Sequence, residues 1–187
     1  QGRQGFDQIL STLSSIDQYN TNITHGKTQI DLTESCLEAI DELVLEARRI
    51  AVEQSAGELE SRPTAAQEVK NIYDQILQLA NTKLGDTYIL SGHQTDTAPF
   101  SRDAAYNATY HGDDGDKRII VGDNLDIKVN VTGEDALRSG VDVFDALREK
   151  EPLLSEKYGS PLVWERLDDK RASRVAIYMD GSIESPQ

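Results

Sequence analysis

A repeat of apolar side chains every seven residues runs through the N-terminal part of the chain and constrains its fold more than any other feature. The repeated positions are Ile9, Ile16, Ile23, Ile30, Leu37, Val44 and Ala51. This spacing is typical of a helix that packs lengthwise on another helix, and no proline interrupts residues 6–57. We therefore predict one helix over this range, roughly 75 Å long, and a protein that is rod-shaped in part.

A second helix is expected after a short interruption. Gly57 and the stretch around Pro63 supply a stop and a restart, and apolar residues then recur at helical spacing from Ala65 to Leu84. Gly85 is a natural C-cap. The two helices predict a hairpin with a packing seam at Ile9, Ile16, Ile23, Ile30, Leu37, Val44, Val69, Ile72, Ile76 and Leu79. An aspartate at Ile30 or Ile76 should then destabilise the hairpin by several kcal/mol, because it buries an unpaired charge.

Beyond Gly85 the sequence favours short strands. Residues 105–110 and 117–121 flank an acidic turn, residues 122–124 form a second turn, and residues 126–131 alternate apolar and polar side chains. The simplest interpretation is a β-meander. A short helix is predicted over residues 141–149.

The C-terminal residues predict one more hairpin. A strand over residues 174–179 is followed by the Asp180-Gly181 turn, and its return strand must come from residues 182–187. We expect three regions: a helical hairpin over residues 1–85, a β-hairpin or meander region over residues 86–140, and over residues 141–187 a short helix with the truncated start of a variable outer domain.

Charge and chemistry argue against several functions. The 19 basic and 33 acidic residues give a net charge of −14, which is unfavourable for nucleic-acid binding. Cys36 is the only cysteine, and the three histidines lack metal-ligand spacing, so we expect no disulfide, metal site or cofactor. No apolar run reaches the roughly 18 residues of a membrane span. With no catalytic motif, we do not expect an enzyme.

One stretch carries a specific family pattern. Leu79, Ala80 and Asn81 precede a glycine and a Tyr-x-x-Ser-Gly strand, then a threonine-rich link and Pro-Phe; a Tyr-x-Gly-Asp hairpin follows. The motif residues are Asn81, Gly85, Tyr88, Ser91, Gly92, Pro99, Phe100, Tyr110, Gly112 and Asp113. With these residues the chain, over about residues 6–148, resembles the hook-filament junction proteins (hook-associated protein 3) of the bacterial flagellin-like family.

The resemblance implies a structural protein with an α+β, flagellin-like fold: a coiled-coil rod of two long helices with a β-rich region. It implies a place in the extracellular flagellum between hook and filament, and export by the flagellar type III system. The implied partners are a neighbouring hook-associated protein, flagellin, an export chaperone and further copies of the chain, with no nucleic acid and no membrane insertion. Family members have additional coiled-coil segments at both ends, including a returning C-terminal helix, and we expect these to be missing here.

Two alternatives stay open. The first is flagellin itself, which shares the helical hairpin and the export route. The second is a secreted adhesin or carbohydrate-binding module that uses Tyr106, Tyr110 and Trp164 as stacking residues. Scattered aromatic residues are more often packing residues than a binding platform.

Overall fold

The structure, a computed structural model, describes residues 2–55, 61–154, 162–164, 175–177 and 183–184. Helix α1 spans Gly2–Ser55 and helix α2 spans Arg62–Ala80, with Pro63 in its first turn. The two pack against each other, so the predicted helical hairpin is confirmed. At 54 and 19 residues they are about 80 and 28 Å long, so α2 can cover only about a third of α1. Gly57 lies outside the described residues.

The end of α2 differs from the prediction. We expected a helix through Leu84 capped by Gly85, but α2 stops at Ala80 and Asn81 is the cap. Strands β1 (Lys83–Leu84) and β2 (Thr87–Tyr88) then form an antiparallel hairpin. Gly85 lies in the turn of that hairpin with φ +61°, a conformation that glycine adopts without steric cost. The side chain of Asn81 bonds the backbone of Phe100, further along the chain.

The β region is not a meander. Strand β3 (Phe100–Arg102) pairs with β4 (Ala108–Tyr110), and β5 (Arg118–Gly122) pairs with β6 (Leu125–Lys128), each pair forming its own antiparallel sheet. The expected pairing of residues 105–110 with 117–121 is therefore wrong. The predicted turn at residues 122–124 is confirmed between β5 and β6.

Two helices complete the described core. Helix α3 (Gly133–Leu137), which the sequence analysis missed, begins at Thr132, whose hydroxyl accepts from the Asp135 N–H at 3.2 Å. Helix α4 (Val143–Leu154) confirms the predicted short helix and packs against α2. The aromatic residues Tyr73, Phe100 and Phe144 are buried together, with ring centroids 5.1–5.2 Å apart between Phe144 and each of the other two.

The predicted C-terminal hairpin is confirmed where it is described. Strands β7 (Leu162–Trp164), β8 (Val175–Ile177) and β9 (Ile183–Glu184) form an antiparallel sheet in that order. The return strand β9 pairs with β8 through Ile177 and Ile183. The Asp180-Gly181 turn lies outside the described residues.

Candidate assembly surface

The heptad residues of the N-terminal half of α1 are exposed to solvent. Ile9 is 61% exposed, and Ile16, Ile23 and Ile30 are 44–45% exposed. Other large apolar side chains extend this row at the start of the helix: Phe6, Leu10 and Leu13. We call these seven residues the apolar stripe. Exposed apolar patches often mark sites where a protein meets a partner.

The C-terminal half of α1 turns a neighbouring row of residues toward α2. The buried positions are Thr33, Cys36, Ile40, Ala47, Ile50 and Ala51. The predicted seam residues Leu37 and Val44 are only half-buried, whereas Val69, Ile72 and Ile76 of α2 are buried and Leu79 is half-buried. The expectation that Ile30 is buried in the hairpin is wrong. Within this chain α2 is too short to reach it, so the seven-residue repeat continues beyond its partner helix.

The apolar stripe continues beside the β5–β6 hairpin. A groove on this face is lined by apolar residues Ile30, Leu37, Val129 and Val131. Glu34 and Glu38 of α1 also line it. Near this groove, Ile127 and Val131 are 41% and 37% exposed. The hairpin therefore widens the apolar surface of α1.

The attachment of this hairpin to α1 was not predicted from the sequence. Tyr19 Oη donates to Asp123 Oδ1 at 2.9 Å, and Asn22 Nδ2 donates to the Ile120 carbonyl at 2.8 Å. Gly26 lies one turn further along, where a methyl group would be 2.5 Å from Ile119 Cδ1. A lone glycine inside a strongly helical pattern was the available signal, because such a residue often marks a close approach.

The family motif residue Asn81 joins the end of α2 to β3. Its side-chain amide donates to the Phe100 carbonyl and accepts from the Phe100 N–H, both at 2.9 Å. Phe100 is 1% exposed, so these bonds lie in the core. Pro99, beside it, accepts from the His111 N–H at 2.8 Å. Asn81 therefore fixes the position of the first strand after the helical hairpin.

Because both bonds of Asn81 are partly buried, we expect Asn81→Ala to lower the free energy of unfolding by about 2 kcal/mol. The measurement is urea unfolding followed by circular dichroism. Asn71→Ala is the matched control, since Asn71 is exposed and its side-chain oxygen accepts only from Gln67 within its own helix turn. Equal losses in the two variants would contradict the role assigned to Asn81.

The remaining motif residues hold two loops together. Tyr110 Oη lies 2.9 Å from the Leu90 carbonyl and 3.1 Å from the Asp113 carbonyl, and the Ser91 carbonyl accepts from the Asp113 N–H at 3.2 Å. Gly92, with φ +66°, lies where a side chain would collide with Asp113. Gly112 is packed similarly against Tyr110 and Ser91. Tyr88 lies outside this network. Lys83 Nζ lies 4.4 Å from the centroid of the Tyr88 ring. Tyr110, Ser91, Gly92, Gly112 and Asp113 therefore form a network of contacts that holds the two loops together.

The Asp113 carboxylate makes the stability of this loop network depend on pH. The backbone N–H groups of His93 and Gly115 donate to Asp113 Oδ1 at 2.7 and 2.9 Å and lower the pKa of its carboxyl below the ordinary value. A group with a lowered pKa adds stability above its ordinary pKa, and this contribution is lost as the pH falls through the folded-state pKa.

We therefore expect Asp113→Asn to lower the free energy of unfolding by more at pH 7 than at pH 2. Urea unfolding at the two pH values measures the difference. Asp114→Asn serves as the control, since Asp114 is the neighbouring aspartate in the same loop and is exposed. A loss at pH 2 as large as that at pH 7 would show that Asp113 acts through its shape alone.

Tyr106 and Tyr110, two of the three residues considered for a carbohydrate platform, make packing contacts within the fold. The Tyr110 ring packs on Phe100 with centroids 5.0 Å apart. The Tyr106 ring meets Tyr73 edge-on at 5.1 Å and lies 4.2 Å from the Arg102 guanidinium. Burial raises the pKa of Tyr73 to about 12, and its hydroxyl donates to the Tyr106 carbonyl at 3.0 Å. The side chain of Trp164 lies outside the described residues.

Among the described residues, no group of three or more His, Cys, Asp or Glu side chains is arranged to hold a metal ion. No helix in the described parts of the chain combines the length and the apolar character that a membrane span requires.

Cys36 is buried, and its thiol bonds the Leu79 carbonyl with an S–O distance of 3.0 Å. Burial raises the pKa of this thiol, as is usual for a cysteine in apolar surroundings.

Comparison with known proteins finds a family match over the region that carries the apolar stripe and the first half of the motif. Residues 4–95 match the sequence model of the bacterial flagellin N-terminal helical region. Flagellar hook-associated protein 3 of Escherichia coli is 35% identical over 89 residues, which are 46% of this chain and 28% of that protein. This chain thus spans less than a third of that curated relative.

Solved structures extend the flagellin-like similarity beyond residue 95. Hook-associated protein 3 from Legionella pneumophila matches with a TM-score of 0.64 and 26% identity, over 69% of this chain and 40% of that one. A putative flagellar hook-associated protein from Vibrio parahaemolyticus matches with a TM-score of 0.74 and 22% identity, over 81% of this chain and 69% of that one. The predicted α+β, flagellin-like fold is thus confirmed.

Proposed function

We propose that this chain belongs to a structural protein of the bacterial flagellum that joins the hook to the filament. The observation that carries the proposal is the apolar stripe, which lies on a helix that matches the flagellin N-terminal helical region and extends well past α2. The relatives named above are hook-associated proteins. An exposed heptad row on a stiff helix suits lengthwise packing in a tubular assembly.

In this proposal the predicted seam residues work in two groups. Val69, Ile72 and Ile76 hold α2 on the C-terminal half of α1. Ile9, Ile16, Ile23 and Ile30 pack against helices of neighbouring subunits in the assembly. The motif residues keep the loops between these helices and the β region in place. We also propose that the chain divides into three regions, with boundaries near residues 85 and 140.

The proposed partners are those of a junction subunit. They are a neighbouring hook-associated protein, flagellin and further copies of the same protein, with an export chaperone before assembly. Export by the flagellar type III system is also part of the proposal. We propose no catalytic role, since the motif residues bond one another and the backbone and thus support a structural function.

The position of the protein along the flagellum distinguishes the junction proposal from its alternatives. We expect immunogold labelling of isolated flagella to place the protein in one short band between hook and filament. Labelling along the whole filament would identify a flagellin instead. Labelling of the cell surface away from flagella, together with binding of the purified protein to a glycan array, would favour the adhesin. Either of the last two results would overturn the proposal.

A further inference from the structure

The two halves of α1 differ in composition in a way that affects stiffness. Residues 11–33 contain eight serines and threonines, whereas residues 36–54 contain none. Six of these hydroxyls donate to the carbonyl four residues earlier, at 2.8–3.1 Å: Thr12, Ser15, Thr21, Thr24, Thr28 and Thr33. Such bonds compete with the helical N–H for the same carbonyl, and they weaken and bend helices.

Gly26 lies in the middle of this hydroxyl-rich segment. Glycine in a helix interior costs about 1 kcal/mol relative to alanine, and it leaves the backbone free to bend. Residues 36–54, in contrast, are rich in alanine, leucine, glutamate and arginine, which are good helix formers. Arg49 there also bridges Glu46 and Glu53 at 2.5 and 2.6 Å. Intrinsic stiffness should therefore be lower in residues 11–33 than in residues 36–54.

The β5–β6 hairpin is fastened to the weak segment. Its three attachments are the Tyr19–Asp123 hydrogen bond, the Asn22–Ile120 hydrogen bond and the contact of Ile119 with Gly26. They span two turns of α1 and surround Thr21 and Thr24. Because the hairpin is attached at both ends of this stretch, it resists bending of α1 between Tyr19 and Gly26.

We propose that residues 11–33 are a bending segment of α1 and that the β5–β6 hairpin is a clasp that keeps this segment straight. With the clasp docked, α1 is stiff over its whole length. With the clasp released, the N-terminal half, which carries the apolar stripe, changes direction relative to the α2–α4 core. The proposal concerns the chain itself and does not depend on the junction role.

Distances between spin labels test the proposal. One label pair, at Ser14→Cys and Asp41→Cys, spans the bending segment, with Cys36→Ala removing the native thiol; both labelled sites are exposed. The 27 intervening steps correspond to about 40 Å in a straight helix. We expect a narrow distance distribution with the clasp intact, and one about twice as wide in the Tyr19→Phe/Asn22→Ala double variant.

Two controls separate bending from unfolding. A second label pair at Glu34→Cys and Arg48→Cys spans the stiff half and should keep its distribution in the double variant. Adding Thr21→Ala, Thr24→Ala and Thr28→Ala to the double variant removes three of the competing hydroxyls and should narrow the first distribution again. An unchanged width in the double variant, or broadening at both label pairs, would overturn the proposal. Broadening that the three alanines do not reverse would do so as well.

Discussion

Ile76→Asp is expected to lower the free energy of unfolding by about 4 kcal/mol, because it places an unpaired carboxylate in the core between α1, α2 and α4. Ile76 is fully buried within a cluster of apolar side chains. Urea unfolding followed by circular dichroism measures the effect. A loss of this size is a large part of the stability of a small domain, so the variant should be partly unfolded at 37 °C.

Ile30→Asp is the matched control for this prediction. Ile30 is a seam residue with the same side chain but is 44% exposed, so its carboxylate stays in contact with water. We expect a loss below about 1 kcal/mol, the size of a helix-propensity difference. Equal and large losses in both variants would show that Ile30 is covered by something in solution. Two small losses would contradict the core described for α2.

Gly92→Ala is expected to lower the free energy of unfolding by about 3 kcal/mol. Two costs add: a left-handed backbone at φ +66°, and a methyl group that collides with the backbone and carboxylate of Asp113. Both loops of the motif would have to move apart to make room. The measurement is again urea unfolding at neutral pH.

Gly85→Ala separates the two costs. Gly85 has nearly the same φ, +61°, but no atom lies within 4 Å of where its methyl group would be. Only the backbone cost of about 1 kcal/mol should remain. If Gly85→Ala and Gly92→Ala destabilised the protein equally, the packing of the Gly92 loop on Asp113 would not matter to stability.

The helices were predictable from the sequence because their signals are local. The seven-residue repeat and the absence of proline indicated α1, and Pro63 marked the start of α2. The orientation of α1 was less predictable. A repeat shows that a face is apolar but not which partner covers it, and the short α2 meets Ile40 and Ala47 rather than Ile9 or Ile16.

The strand pairing could not be predicted correctly because it depends on contacts between distant residues. The acidic turn at residues 112–116 looks like a hairpin turn, but Asp113 bonds the His93 loop and β4 pairs back with β3. Likewise, nothing near Asn81 in the sequence signals that its amide bonds Phe100. The family motif includes several residues of this loop network, although the sequence pattern could not show which contacts they make.

The proposed role at the hook-filament junction is tested most directly by deleting the gene that encodes this protein. Electron microscopy of the cells and an immunoblot of the culture medium for flagellin are the readouts, with the intact gene supplied in trans as the control. The account predicts hooks without filaments and flagellin released into the medium, both reversed by the intact gene. Filaments of normal number and length on the deletion strain would contradict it.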